Sequence, residues 1–337
     1  MNATRTPLRI GVLGAARITP AALIWPAAQL GDVAVHCVAA RDPERARNFA
    51  AEHGIATVLD SYQAVIDADV DAVYIPLPIS EHHRWTLRAL AAGRHVLCEK
   101  AIASNAAEAL EMRDAAARAG RVLMEAFHYR YHPLFLRVLE LVRGGAVGTL
   151  RRIEGTFCVP HIKAGDIRLD HATGGGALMD LGTYPVHWLR HVAGREPVVI
   201  EASAQRYAAD PQVDLTMEAT LQCPADGDQP IIDGRIRCSM DPDDTMQARL
   251  WIEGDAGTLE VTNPLAPQMG HELHLINAEG DLREQVDRTP SYTYQLETFV
   301  AAVRGGGETP TDGDDALAQM RVIDAIYHAA GLPLRGG

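Results

Sequence analysis

The chain contains no run of apolar residues near the ~20 that a helix needs to cross a bilayer, so a membrane is not among its expected partners. It also lacks any CxxC pair. Its five cysteines, Cys37, Cys98, Cys158, Cys223 and Cys238, are odd in number, which fits reduced thiols in a cytoplasmic setting better than a disulfide framework. Basic charge is in deficit: 31 Lys and Arg stand against 44 Asp and Glu, a net charge of −13. No Lys/Arg cluster offsets that balance, so nucleic acid is not an expected partner either. The N-terminal MNATRTPLRIGVLG has an apolar run too short for a signal peptide and leads straight into a glycine turn. No internal repeat or low-complexity linker is present; the nearest approach is the turn-rich Arg304–Asp315. What remains is 47% hydrophobic and 22% charged, an ordinary globular composition. At ~150 residues per domain, the 337 residues suggest two domains.

The pattern changes near residue 125. Up to that point short apolar runs (Leu8–Leu13, Val33–Ala39, Thr57–Val58, Ala72–Ile75, His95–Cys98, Val122–Glu125) alternate with helical stretches. The helices are expected at Ala21–Leu30, Pro43–His53, Tyr62–Ile66, Glu81–Ala92 and Ala106–Ala119. This alternation predicts a parallel sheet covered on both faces, a Rossmann-type domain over residues 1–125. Beyond residue 148 the segments Leu150–Val159, Val198–Arg206, Met217–Cys223, Ile231–Ser239, Met246–Glu253 and Gly257–Val261 follow one another as strands. Together with helices near 133–143, 177–193 and 291–303 and a last one at Asp314–Ala330, they predict an α+β domain with a mostly antiparallel sheet over 126–337.

Three motifs carry chemistry. Gly11-Val-Leu-Gly14-Ala15-Ala16-Arg17-Ile18 ends the first strand and leads into the first helix. Small residues there let backbone amides and a helix N-terminus approach a pyrophosphate. Read as GxGxxG, the second and third glycines are Ala16 and Thr19, so the strand–turn–helix context carries the signal. The second strand ends in Ala39-Ala40-Arg41-Asp42. Ala40 cannot accept the ribose hydroxyls, whereas Arg41 suits a 2′-phosphate, which favours NADP over NAD. Alternatively, Arg41 and Asp42 solvate a helix start, with Asp42 as the N-cap before Pro43.

The second motif is Glu99-Lys100 just after an apolar strand, where ligands of doubly wound sheets bind and where a lysine can stabilise developing negative charge. The third is Gly174-Gly175-Gly176-Ala-Leu-Met-Asp180-Leu-Gly-Thr-Tyr184-Pro185-Val-His187. On one helix Asp180, Tyr184 and His187 would share a face. Pro185 requires either a helix start near Leu181 or a bend. Carboxylate and phenol make an acid–base pair, with a nearby lysine lowering the phenol pKa. His128/His132 and His187/His191 have helical spacing, but without an HExxH partner no metal is expected.

These motifs resemble the Gfo/Idh/MocA oxidoreductase family, in the branch of glucose–fructose oxidoreductase, xylose dehydrogenase and dihydrodiol dehydrogenase. Further matches are Val73–Pro78, Ala92–Lys100, Glu125–Pro133, Gly257–Val261 and Tyr294–Phe299. The resemblance implies a Rossmann domain followed by an open-sheet domain that forms homodimers or homotetramers. It implies cofactor contacts from Pro76, Leu77, Pro78, His82, Glu99 and Lys100 beside the Gly11–Ile18 turn and Arg41. It makes Lys100, Asp180 and Tyr184 catalytic, and assigns Arg130 and His187 to the substrate, to which the chain's own polar side chains add Arg168. Ala101 replaces the family's proline after the lysine, Ile79 a common asparagine, and Ala16 a phosphate-loop glycine. Phe157, His161, Lys163, Arg168 and His171 suggest a polar ligand.

The expected reaction is hydride transfer between NADP and a sugar, polyol or cyclic diol, with Tyr184 moving the proton. The alternatives are a non-catalytic NAD(P)-binding regulator of the same fold, and an enzyme whose cofactor stays bound between turnovers.

Overall fold

The computed structural model describes residues 6–160, 162–307 and 309–336; His161 therefore lies outside the described residues. The chain divides into two compact units. The first comprises residues 1–103, 107–128 and 292–317, the second residues 104–106, 129–291 and 318–337. A single division after residue 125 misses that 292–317 returns to the first unit.

In the first unit six strands form one sheet in the order β3-β2-β1-β4-β5-β6, every neighbouring pair parallel. They are β1 (Leu8–Leu13), β2 (Val33–Ala39), β3 (Thr57–Val58), β4 (Ala72–Ile75), β5 (His95–Cys98) and β6 (Leu123–Glu125). Ile10, Val12, Leu13, Val38, Val73 and Leu97 are all at 0% exposure. Such continuous apolar strands are what a sheet covered on both faces demands. The crossovers are α1 (Trp25–Leu30), α2 (Pro43–His53), α3 (Tyr62–Asp67), α4 (Ile79–Ala91) and α5 (Ala106–Ala119). The helix expected at Ala21–Leu30 is a π-turn, Pro20–Ile24, running into α1. The strand order turns back between β1 and β4, the position at which doubly wound sheets hold their ligands.

The second unit begins with α6 (Pro133–Arg143) and β7 (Leu150–Cys158) and continues through α7 (Thr183–Ala193). Then come β8 (Val198–Tyr207), β9 (Asp210–Cys223), β10 (Ile232–Ser239), β11 (Gln247–Gly254), β12 (Gly257–Thr262), β13 (Glu272–Asn277) and β14 (Gly280–Glu284). Of the last two helices, α8 (Ser291–Val303) lies in the first unit apart from Ser291, and α9 (Gly313–Ala329) starts in the first unit and continues in the second. The eight strands run β14-β13-β12-β11-β7-β10-β9-β8, antiparallel except for the β7–β10 pair. β13, β14 and the first half of β9 are strands beyond those read from sequence. β14 is exposed along four of its five residues, so it lacks the apolar alternation that marks a strand.

α7 lies on the sheet where β7 carries Gly155. A Cβ there would stand 2.8 Å from Pro185 Cβ and 3.3 Å from the Trp188 ring, so the absent side chain sets how closely helix and strand approach. Before α7 the backbone makes a π-turn over Leu178–Gly182. Pro185 thus falls in the first turn of the α-helix proper, where its missing N–H costs no hydrogen bond.

Candidate active site

The nucleotide-binding features of the first unit gather at the carboxyl ends of β1, β2, β4 and β5. Gly14 leaves β1 with φ +115°, a conformation that needs glycine, and its amide donates to Ala39 O at 2.8 Å. A Cβ on Gly14 would sit 3.0 Å from Leu77 Cδ2, so the turn is pressed against the Pro76–Pro78 segment that follows β4. Ala15 is buried, whereas Arg17 and Ile18 are exposed at the turn. Gly11 has a different job from its neighbours: it lies inside β1, where a Cβ would meet Val65 Cγ1 at 2.5 Å, and it makes room for α3.

Arg41 is exposed at the end of β2. Its backbone is hydrogen-bonded by the Tyr62 hydroxyl, a phenol that burial pushes up from its ordinary pKa. Asp42 caps α2, accepting from Glu44 N at 2.9 Å and Arg45 N at 3.3 Å. Capping therefore accounts for Asp42, and Arg41 is the exposed cation beside it. Arg45, which the sequence did not single out, donates from Nη2 to Ala15 O at 2.7 Å and ties α2 to the turn. A groove of about 620 Å³ opens beside this tie, lined by Ala15, Arg17, Trp25, Arg45, Phe49 and His53.

Lys100 stands half-buried just past the end of β5, and the peptide bond to Ala101 is cis. Hydrogen bonds hold its surroundings. His82 is buried, with Nδ1 2.9 Å from Ala101 O and Nε2 2.8 Å from Leu77 O. It joins the Lys100–Ala101 segment to the Pro76–Pro78 turn rather than offering a free ring nitrogen. Burial lowers its pKa, opposed by the carbonyls it faces. Glu99 accepts from the Tyr74 hydroxyl at 2.6 Å. Ile102 N donates to Glu125 Oε1 at 2.9 Å.

In the second unit Asp180 lies in the π-turn, its amide bonded to Gly176 O at 3.0 Å. Its carboxylate is ion-paired with Arg168, Nε to Oδ2 at 2.9 Å, with side-chain exposures of 20% and 40%. Arg168 also approaches Asp166 at 3.5 Å. Tyr184 is 6% exposed and packs edge-on to Phe157, ring centroids 5.7 Å apart. Tyr129, a residue the motifs did not flag, stands behind it, 6.0 Å between centroids.

His187 is wholly buried. Its Nδ1 shares a hydrogen bond with the Tyr129 hydroxyl, and its ring stacks on His191 at 4.0 Å. Arg130 reaches His191, with Nε donating to Nδ1 at 3.1 Å. His132 is the N-cap of α6: its Nδ1 accepts from Leu134 N at 3.0 Å. Lys163 is near the surface and His171 is half-buried on the 160–174 segment. The geometry therefore brings together Asp180 with Arg168, and Tyr184 with Phe157 and Tyr129, while Arg130 and His187 belong to a histidine–tyrosine layer beneath. Among the described residues no helix is long and apolar enough to cross a membrane.

A six-stranded parallel sheet with a glycine turn at its switch point makes the first unit a Rossmann-type dinucleotide-binding fold. The chain belongs to the Gfo/Idh/MocA family: residues 8–127 match the oxidoreductase family, NAD-binding Rossmann fold, and residues 135–260 match the GFO/IDH/MocA C-terminal domain. It is 36% identical over 329 residues to D-xylose 1-dehydrogenase (NADP(+)) 2 of Haloferax volcanii, covering 96% of this chain and 97% of that one. It is 33% identical to a dTDP-3,4-didehydro-2,6-dideoxy-alpha-D-glucose 3-reductase of Streptomyces violaceoruber, over 98% and 99% of the two chains. Among solved structures, a 3-ketoreductase from Actinomadura kijaniata in complex with NADP and TDP-benzene superposes with TM-score 0.87 at 26% identity, covering 96% of this chain and 98% of that one.

Proposed function

We propose that the chain transfers hydride between NADP and the carbinol or carbonyl carbon of a sugar, polyol or cyclic diol, with Lys100 and Tyr184 acting at the reacting oxygen. The observation that carries this reading is the position of Lys100 directly after β5, which pairs with β4 at the switch-point side of the sheet, at the strand ends where ligands of such sheets bind.

The residues at the nucleotide turn fit the cofactor. Gly14, with φ +115°, packs directly against Leu77 where a Cβ would crowd, and no carboxylate occupies position 40 where a ribose diol would need one. Arg41 offers an exposed guanidinium suited to a 2′-phosphate. When bound, the nicotinamide supplies a hydride acceptor and donor at its C4. The Lys100 ammonium donates to the substrate oxygen and favours its developing negative charge. Tyr184 gives or takes the hydroxyl proton, and Asp180, itself steadied by Arg168, sets the charge around that phenol. The relatives' activities on D-xylose and on a dTDP-linked keto sugar support the carbohydrate class.

A panel of aldoses, inositols and cyclic diols, read as NADPH and NADH absorbance, tests the reading. We expect turnover of at least one sugar with a clear preference for NADP. An inert panel together with tight nucleotide binding would point instead to a regulator, and nicotinamide absorbance retained through purification to a permanently bound cofactor.

We also infer a homodimer or homotetramer through the sheet face opposite α7. That face carries paired charges, including Arg237 with Glu218 and Asp244. A one-chain mass by light scattering would contradict it.

A further inference from the structure

We infer that Arg335, through its pair with Asp214, is a positioning residue for the acid–base segment: it holds the glycine turn from which Asp180 and Tyr184 are carried. This rests on the roles given to those two residues above.

Arg335 follows α9 and is fully buried, as is Asp214 on β9. Its guanidinium is used on every side. Nε donates to Gly175 O at 2.7 Å, Nη2 to Asp214 Oδ1 at 2.7 Å and Nη1 to Pro333 O at 2.8 Å. The plane lies over the Tyr327 ring, 4.2 Å from its centroid, and the Tyr327 hydroxyl donates to Asp214 Oδ1 at 3.0 Å. The other carboxylate oxygen, Oδ2, accepts from Leu178 N at 2.6 Å. The ion pair therefore grips the chain at the carbonyl of residue 175 and the amide of residue 178, on either side of Gly176. That glycine has φ +136°, and a Cβ on it would lie 2.2 Å from Asp214 Oδ1 and 2.7 Å from Arg335 Nη2. Gly176 is thus shaped by the pair.

The same turn continues into the site. Gly176 N donates to Arg168 O at 2.9 Å and Gly175 N to Asp170 O at 2.9 Å, while Asp180 N donates to Gly176 O at 3.0 Å. Arg168 in turn pairs with the Asp180 carboxylate. One buried guanidinium therefore sets both the backbone beneath Asp180 and the backbone of the arginine that Asp180 meets. Burying a charge pair is a poor way to gain stability, since apolar residues of like volume serve as well. Its return here is geometric: a rigid fork addressing two fixed acceptors. Burial pushes the Asp214 carboxyl up to about 6, against the pull of Arg335.

The test compares Arg335→Ala and Arg335→Lys in the full chain, using NADP with the sugar of the panel that is turned over best as assay pair, NADPH titration for binding, and amide exchange over residues 174–184. We expect Arg335→Ala to lower kcat by about 10- to 100-fold, the scale of an ångström-sized misplacement, with NADPH binding unchanged. Exchange over the turn should rise, a readout that needs no substrate. Millimolar guanidinium chloride, but not sodium chloride, should restore activity and protection by refilling the vacated site. Should Arg335→Ala aggregate, Arg335→Lys carries the same comparison, keeping the charge while losing the fork. Unchanged kcat and exchange would overturn the inference. So would a loss that guanidinium leaves unrepaired and that extends to NADPH binding. If Tyr184→Phe is inactive while Arg335→Ala is fully active, this inference alone fails; if Tyr184→Phe keeps full turnover, the acid–base reading fails first.

Discussion

Ala40 and Arg41 place a methyl group and a guanidinium just past the end of β2, where we propose that nucleotide choice is made. A methyl accepts nothing from a ribose diol, and Arg41 is exposed, its backbone held by the Tyr62 hydroxyl. Charge-assisted hydrogen bonds are each worth roughly 1.5–3 kcal/mol. Arg41→Ala should therefore raise the Kd of NADP by about 10- to 100-fold and leave that of NAD nearly unchanged, as measured by fluorescence titration. Equal weakening of both would remove Arg41 from the 2′-phosphate. Residue type was readable at this scale, but partners were not. Asp42 announced itself as a cap because Pro43 follows it, and it caps α2. The helical spacing of His187 and His191 was readable, and the two rings do stack, but nothing disclosed that His187 is buried against Tyr129, a contact between residues far apart in the chain. Arg45 and Arg335 were silent for the same reason: each serves a backbone carbonyl of a distant turn.

At the level of elements, the parallel strands were legible because they are mostly apolar and buried, without exception in Ala72–Ile75. β14, at the edge of its sheet and largely exposed, carries no such signature. The 177–193 stretch read as one helix, with Pro185 as the open question. The π-turn at Leu178–Gly182 resolves it by placing the proline in the first turn of α7. α7 then rests on β7 at Gly155. Gly155→Val should destabilise the protein by about 1–3 kcal/mol, the usual cost of overpacking a tight contact, because its Cβ alone would stand 2.8 Å from Pro185. Urea unfolding measures this; a variant as stable as the parent would show that α7 can lift from the strand freely.

For the molecule as a whole, the change of pattern near residue 125 marked two kinds of sheet, and two sheets of those kinds are present. The return of 292–317 to the nucleotide unit was not legible, since a single helix looks the same whichever core it covers. Family membership adds what composition could not, an oxidoreductase with an NAD-binding Rossmann unit. The phenol then becomes the central question, and the most direct measurement is the turnover number of Tyr184→Phe on the best sugar of the panel, with NADPH affinity determined on the same sample. Loss of a general acid–base predicts a fall of ~10²–10⁴-fold in kcat with nucleotide affinity intact. Turnover equal to that of the unaltered protein would contradict the account.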